Sequence, residues 1–245
     1  MSGHSKWANI KHKKEKTDAQ KAKIFTKIGK EITIAVKAGG GDPNVNSKLR
    51  DLISKAKSNN VPNDNIERCI KKALGATDVN YEEVVYEGYG PSGVAVIVEA
   101  TTDNRNRTAG EVRHYFDKFG GNMGQTGCVS YMFEPKGLIV IEDEDGEIDE
   151  DTLMETALEA GAEDLSSDDG VFEITCESDD VYAIKEALEA AGSKVSSAEQ
   201  TKLPTTYVTL ESEDDIKHMA LLLEHLEDND DVIEVYHNWE NEQEV

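Results

Sequence analysis

The apolar positions in the first third of the chain recur at steps of three and four, which predicts three amphipathic helices. A capping box at Thr17 and the glycines from Gly39 onward delimit the first helix. Asp42–Pro43 predicts the start of the second helix, because proline is favoured in a first turn, and Asn63 predicts the start of the third. Each helix has one apolar stripe that needs a partner, so residues 17–80 are predicted to form a three-helix bundle.

The pattern changes from Val84 onward. The apolar run Val94–Val98 predicts a buried strand, and helical spacing returns in Asn104–Phe119. A further strand is predicted at Cys128–Phe133. This part of the chain is therefore predicted to be β-α-β.

A second series of elements has the order β-α-β-β-α-β, which is the ferredoxin-like pattern. Its predicted members are a strand from Leu138, a helix at Asp151–Ala160, a hairpin around Leu165 and Val171–Thr175, a helix at Asp180–Ala191 and a strand near Val195. The β-α-β unit described above is only half of a ferredoxin-like domain. Its other half is predicted to be a strand at Tyr207–Leu210, a helix at Asp214–Glu227 and a strand at Val232–His237.

The predicted fold class is α+β, with an N-terminal three-helix bundle and two ferredoxin-like α/β domains, one inserted in the other. One domain would be discontinuous, formed by residues 81–134 and 204–240, and it would carry residues 135–203 between its halves. Pro135 and Pro204 would flank the insertion. The same elements also fit three unrelated small domains in series, and the pattern alone leaves both arrangements open.

Charge is distributed very unevenly along the 245 residues. The chain has 26 Lys and Arg against 50 Asp and Glu, a formal net charge of −24. Residues 1–80 carry a net charge of +9 and residues 81–245 a net charge of −33. A basic end on an acidic body can bind nucleic acid while the body faces away. The charge pattern therefore predicts a nucleic-acid partner and a defined orientation on it.

The cysteines and the apolar stretches predict a cytoplasmic protein. Cys69, Cys128 and Cys176 are an odd number and form no C-x-x-C pair, which is typical of reduced thiols rather than of disulfides or a zinc site. The longest apolar stretches are far shorter than the roughly 20 residues that a membrane helix needs. The basic N-terminus lacks the apolar region of a signal peptide. No membrane partner is expected.

Residues 1–16 are predicted to be a basic flexible arm that binds nucleic acid. Lysines neutralise phosphates, and Trp7 can stack on an unpaired base. The alternative is a solubilising tail, but a tryptophan favours binding because it has no use in a tail that touches nothing. The candidate residues are His4, Lys6, Trp7, Lys11, His12, Lys13, Lys14 and Lys16, followed on the first helix by Lys21, Lys23 and Lys27.

Arg105 and Arg107 form a second candidate contact, at the start of the helix that follows the first buried strand. Arginines at a helix N-terminus favour an anion or RNA. The alternative is that Asp103 simply caps this helix. Arg68, Lys71 and Lys72 are the only candidates for a recognition helix of the helix-turn-helix type, which is a weak signal for sequence-specific readout.

The glycine-rich stretch Phe119–Gly127 resembles a phosphate-binding loop in composition but not in context. A P-loop runs from a strand into a helix, whereas this stretch leaves a helix and enters a predicted strand. It is interpreted as a flexible connector. No catalytic motif is present, and His218 and His225 are too far apart for a shared metal without further ligands. The sequence predicts no enzyme activity, no metal and no cofactor.

Four long motifs resemble the YebC family, and the resemblance spans essentially the whole chain. The motifs are GHSKWANIKHKK at 3–14, GGGDPNVNSKLR at 39–50, YEGYGPSGVAVIVEATTDNRNRT at 86–108 and FGGNMGQTGCVSYMF at 119–133. The resemblance implies a three-domain cytoplasmic protein with a helical N-terminal domain and two ferredoxin-like domains. Members are usually labelled as DNA-binding transcriptional regulators. Mitochondrial relatives are translational activators, and bacterial relatives have been linked to ribosomes stalled on proline-rich sequences.

Two functional hypotheses follow. The first is a non-enzymatic nucleic-acid-binding regulator of gene expression that acts on DNA, on ribosomal RNA or on both, with the ribosome as partner in the second case. The distribution of charge along the chain favours the ribosome, because the acidic residues 81–245 would be repelled by duplex DNA. The second is an effector-sensing or protein-docking module built on the paired ferredoxin-like domains. The sequence specifies no oligomeric state.

Overall fold

The structure is a computed structural model that describes residues 18–75, 80–143, 146–168 and 170–242, with side chains from residue 22 onward. The predicted arm, residues 1–16, lies outside the described residues. In chain order the elements are α1 (Asp18–Gly39), α2 (Ser47–Ser58), α3 (Asn63–Leu74), β1 (Glu82–Tyr89), β2 (Ala95–Thr102), α4 (Arg105–Lys118), β3 (Asn122–Met123), β4 (Phe133–Glu142), α5 (Glu150–Ala160), β5 (Asp164–Asp168), β6 (Val171–Glu177), α6 (Val181–Ala190), β7 (Val195–Pro204), α7 (Glu213–Asp228) and β8 (Val232–His237).

The described residues divide into two compact units. One is residues 133–205, and the other combines residues 18–132 with residues 206–242. The predicted fold class is confirmed: three N-terminal helices precede two antiparallel four-stranded sheets, and one sheet lies in the sequence between the halves of the other. That residues 17–80, 81–134 with 204–240, and 135–203 each fold independently is a proposal.

The three helices pack around one apolar core, as the spacing predicts. Its members include Ile28, Ile32, Leu49, Leu52, Ala56 and Ile66. The second helix begins at Ser47 rather than at Asp42–Pro43, because Asn46 is its cap. The buried Asn46 side chain accepts from the Leu49 backbone N–H at 3.1 Å and donates to the carbonyls of Ala35 and Gly40. One side chain therefore joins the end of α1 to the start of α2.

The sheet of residues 133–205 has the strand order β5-β6-β4-β7, with every neighbouring pair antiparallel. Together with α5 and α6, this is the ferredoxin-like arrangement that the sequence predicts. The helices cover one face of the sheet, where Ile139, Ile141 and Ile174 pack against Ile184 and Leu188.

The other sheet has the order β3-β1-β2-β8. Two of the predicted strands do not form in it, and β1 and β3 are strands that the sequence analysis did not predict. The expected strand at Cys128–Phe133 is a loop that ends in a 3-10 turn at Ser130–Met132, and β4 starts at Phe133. The expected strand at Tyr207–Leu210 is reduced to one bridge from Val208 to Trp239. The Asn241 side chain takes over the missing pairing, since it accepts from the Leu210 N–H and donates to the Leu210 carbonyl.

The pattern of apolar positions does not predict β1 as a strand. In the structure, β1 pairs along its whole length with β2. The core of this domain lies between the sheet and α4 and α7, and its largest fully buried side chains are Phe116 and Trp239. None of the described helices is both long enough and apolar enough to cross a membrane.

Candidate nucleic-acid interface

The candidate residues divide between the part of the chain that the structure describes and the part that it does not. His4, Lys6, Trp7, Lys11, His12, Lys13, Lys14 and Lys16 lie outside the described residues, and of Lys21 only the backbone is described. Lys23, Lys27, Arg105 and Arg107 have described side chains. Helix α1 begins at Asp18, immediately after the basic segment 1–16.

Lys23, Lys27 and Lys30 project from one face of α1 onto the end of α7 and the loop that follows it. The Lys23 ammonium lies 2.8 Å from Asp228 Oδ1 and also donates to the Asp228 carbonyl. Lys27 donates to the Glu227 carbonyl at 2.7 Å, and Lys30 donates to the Asp230 carbonyl at 2.9 Å. The last carbonyls of a helix lack partners and carry partial negative charge, so cations at this position are stabilising.

Asp231 is the centre of a compact ion-pair cluster. Its Oδ1 accepts from Lys30 at 2.8 Å, and its Oδ2 accepts from Arg107 Nη2 at 2.5 Å and from the Thr108 hydroxyl at 2.8 Å. The Thr102 hydroxyl donates to the same oxygen at 3.1 Å. Burial alone would raise the pKa of Asp231, but the hydrogen bonds from Lys30, Arg107 and Thr108 hold that pKa well below its ordinary value of 3.8.

Arg107 is therefore committed to carboxylates of its own chain. Its guanidinium also pairs with Asp103, which is one helical turn earlier, at 2.9 Å. The hydrogen bond to Asp231 is the main reason that the pKa of Arg107 is raised, followed by the hydrogen bond to Asp103. The cap of α4 is Asn104, whose Oδ1 accepts from the Arg107 N–H, and not Asp103 as the sequence suggested.

Three of the four candidate residues with described side chains thus meet on the acidic segment 227–231, which has the sequence EDNDD. The fourth, Arg105, is exposed at the start of α4. The sequence analysis missed Lys30 and Asp231. The available signal was the spacing of Lys23, Lys27 and Lys30, which places the three lysines on one helix face.

The glycine-rich stretch is not a flexible connector, because a buried carboxylate holds the loop in place. Glu87 is 3% exposed and accepts from the backbone N–H groups of Gly127, Val129 and Ser130 at 2.7, 2.9 and 2.8 Å. Burial would raise the pKa of Glu87, but these backbone donors lower it. These three N–H groups are thus not available to bind a phosphate. Tyr131, directly after the loop, is 73% exposed.

Exposed cations remain on the helical domain. Arg50, Lys57, Arg68 and Lys72 are exposed on α2 and α3. Other lysines of these helices pair locally, as in the bonds from Lys48 to Glu83 and from Lys71 to Glu67. The helical domain therefore retains a positive surface next to the basic N-terminal segment in the sequence.

The inserted domain presents the opposite charge. On the face of its sheet that points away from α5 and α6, Glu134 and Glu177 are exposed, whereas Glu173, Leu138 and Val140 are buried. Lys136, on the same face, is held by Glu177 at 3.2 Å and also by Glu163. The exposed carboxylates of this face would repel a polyanion.

Histidines and cysteines of the described residues do not gather into a metal site. Among these residues, no group of three or more His, Cys, Asp or Glu could hold a metal ion. His225 bonds the Leu221 carbonyl through Nδ1, and its ring packs on Phe119 with a centroid distance of 4.7 Å.

Comparison with known proteins identifies the family. The family description "TACO1/YebC protein N-terminal domain" matches residues 5–76, and "TACO1/YebC second and third domain" matches residues 81–239. A "Probable transcriptional regulatory protein" of Acetivibrio thermocellus is 62% identical over 243 residues, covering 99% of this chain and all of that protein. One of Ruminiclostridium cellulolyticum with the same name is 61% identical, covering 100% and 98%. The crystal structure of a conserved hypothetical protein of Aquifex aeolicus, Aq1575, has a TM-score of 0.83 and 47% identity, covering 96% of this chain and 97% of that one. On these matches, the chain belongs to the TACO1/YebC family.

Proposed function

We propose that this protein is a non-enzymatic, cytoplasmic regulator of gene expression that binds nucleic acid through residues 1–16. The observation that carries the proposal is the separation of charge, +9 in residues 1–80 and −33 in the remainder. The names of the relatives, probable transcriptional regulatory proteins, support a regulatory role.

The anchoring of α1 supports the use of the segment that precedes it. Lys30 and Arg107 meet on the buried Asp231, so α1 is tied to the discontinuous ferredoxin-like domain near its middle. The basic segment 1–16 therefore starts from a helix with a fixed position on that domain. The point at which the segment joins the folded unit is thus fixed.

Ribosomal RNA fits the charge distribution better than duplex DNA. A duplex is a uniform cylinder of negative charge, and the acidic part of the chain would be repelled once the N-terminal segment had bound. On a ribosome, the acidic domains can face basic proteins or solvent while Trp7 stacks on an unpaired base. We therefore favour a ribosome-associated factor that relieves stalling. The name of the relatives, probable transcriptional regulatory protein, favours a role in transcription instead.

An effector-sensing or protein-docking module is the second candidate. The observation in its favour is the pair of exposed carboxylates Glu134 and Glu177 on one sheet face of the inserted domain, which suits a basic protein surface better than a polyanion. In this case nucleic-acid binding by residues 1–16 would be incidental.

Removal of residues 1–16 tests the proposal and separates the two candidates. We expect the affinity for both RNA and duplex DNA to collapse, because the phosphate contacts are lost. The matched control replaces the same 16 residues with a Gly-Ser segment of equal length, which should bind as weakly as the deletion. Binding is measured by fluorescence anisotropy with labelled RNA and DNA. Nucleic-acid affinity that survives in both variants would contradict the proposal. The docking module predicts instead that binding of its protein partner or effector survives the deletion.

A further inference from the structure

The three lysines of α1 are not held equally firmly. Lys30 and Asp231 have side chains that are 13% and 8% exposed, whereas those of Lys23 and Asp228 are 38% and 68% exposed. Solvent and salt screen an exposed pair, and they screen a buried pair much less. The contact therefore has a firm inner part at Lys30 and a more labile outer part at Lys23, with Lys27 between the two on the same helix face.

The outer part already binds a group that resembles a phosphate. Lys23 and Lys27 face the Asp228 carboxylate and the carbonyls of Glu227 and Asp228, which are negatively polarised oxygens at the end of a helix. A nucleic-acid phosphate also offers negatively charged oxygens and, in addition, releases condensed counterions when lysines bind it. Both lysines are also the next cations after the basic N-terminal segment and Lys21.

We propose that Lys23 and Lys27 form a phosphate-binding extension of the basic segment 1–16, and that the Glu227–Asp228 end of α7 occupies this site in the free protein. Nucleic acid bound along residues 1–16 displaces the acidic end of α7 from the two lysines. The inner cluster of Lys30, Arg107 and Asp231 stays closed and keeps α1 in place. This inference rests on the proposed function, because it requires that residues 1–16 bind nucleic acid.

The Glu227–Asp228 end of α7 would therefore compete with nucleic acid for the two lysines and lower the affinity of the protein for nucleic acid. A polyanion can contact Lys23 only after it has displaced the Asp228 carboxylate. Weakly bound polyanions therefore contact only the N-terminal segment. Neutralising the competitor without changing the lysines should therefore tighten binding.

Asp228→Asn in the full-length protein tests this, with Asp230→Asn as the matched control. Asp230 is exposed two residues further on, and its contact with Lys30 uses the backbone carbonyl, so its substitution changes the net charge equally but leaves Lys23 paired. With single-stranded poly(U) as the probe at low salt, we expect Asp228→Asn to tighten binding about threefold more than Asp230→Asn, as an exposed ion pair of typical strength allows. Equal effects of the two substitutions would overturn the inference.

Lys23→Ala provides an independent readout in the same assay. In the wild-type background it should change the affinity for poly(U) very little, because Lys23 is occupied by Asp228. In the Asp228→Asn background it should remove the gain. An equal loss in both backgrounds would show that Lys23 binds phosphate without competition and would overturn the inference alone. If the wild type and the variants all fail to bind poly(U), the proposed function fails and the inference fails with it.

Discussion

Replacing Lys11, Lys13 and Lys14 together with Glu should weaken binding to every nucleic-acid sequence by roughly 100-fold at low salt. Each lysine that contacts a phosphate releases counterions, so the loss of three contacts should also flatten the slope of log affinity against log salt. We expect a change of about three units on duplex DNA and about two on a single strand. The measurement is a salt titration of binding with several unrelated sequences.

The matched control is the triple change of Lys185, Lys194 and Lys217 to Glu, which alters the net charge by the same amount in the acidic part of the chain. It should leave the salt slope unchanged, because none of these three lysines is a phosphate contact in the account. If the first triple variant lost affinity for some sequences and kept it for others, the lysines would be reading bases, contrary to the account.

Asp231→Asn should lower the free energy of unfolding by about 2 to 3 kcal/mol at pH 7, because it leaves the largely buried Lys30 without its counter-charge. Chemical denaturation of the full-length protein measures the effect. Asp230→Asn is again the control, since an exposed carboxylate without such a cluster should change stability by less than about 0.5 kcal/mol.

The lowered pKa of Asp231 also predicts how the stabilising effect of this residue depends on pH. The folded-state pKa of Asp231 is lowered by Lys30, Arg107 and Thr108, so its contribution is fully present above the unfolded-state pKa near 3.8 and is lost as the pH falls towards the lower folded-state pKa. The difference in stability between the wild type and Asp231→Asn should therefore be constant from about pH 5 to neutrality and should shrink below about pH 4. A difference that grows on acidification would contradict the assignment of Asp231 as the ionised partner.

The parts of the fold that were predictable are those in which local pattern and tertiary contacts agree. The ferredoxin-like order of residues 133–205 follows from continuous apolar runs such as Leu138–Ile141 and from helices with one apolar face. The predictions of element bounds fail where a single polar side chain fixes the local backbone conformation. Asn241 replaces strand pairing at Leu210, and Asn46 moves the start of α2, and neither role leaves a periodic signal.

The candidate site was predictable in its charge but not in its contacts. Clusters of Lys and Arg are visible in the sequence, whereas the partner of Lys23 lies 205 residues away at Asp228. The same holds for Arg107, which pairs with an aspartate 124 residues further on. Residues so far apart in the sequence are brought together only by the fold. From the sequence alone, a basic residue that pairs with its own chain therefore cannot be distinguished from one that binds RNA. The buried Glu87, which orders the glycine-rich loop, had no sequence signal of its own.

Competition between ribosomes and random duplex DNA for the intact protein, near physiological ionic strength, tests the central claim most directly. The full chain is offered both targets at equal phosphate concentration, and its distribution is measured after sedimentation. The variant with Lys11, Lys13 and Lys14 changed to Glu, sedimented in parallel, sets the level of binding that does not depend on the basic segment. We predict that the wild type sediments with ribosomes, since their RNA offers unpaired bases and their proteins tolerate the acidic domains. Protein that stays on the duplex and leaves the ribosomes bare would contradict the ribosomal account and favour regulation at DNA.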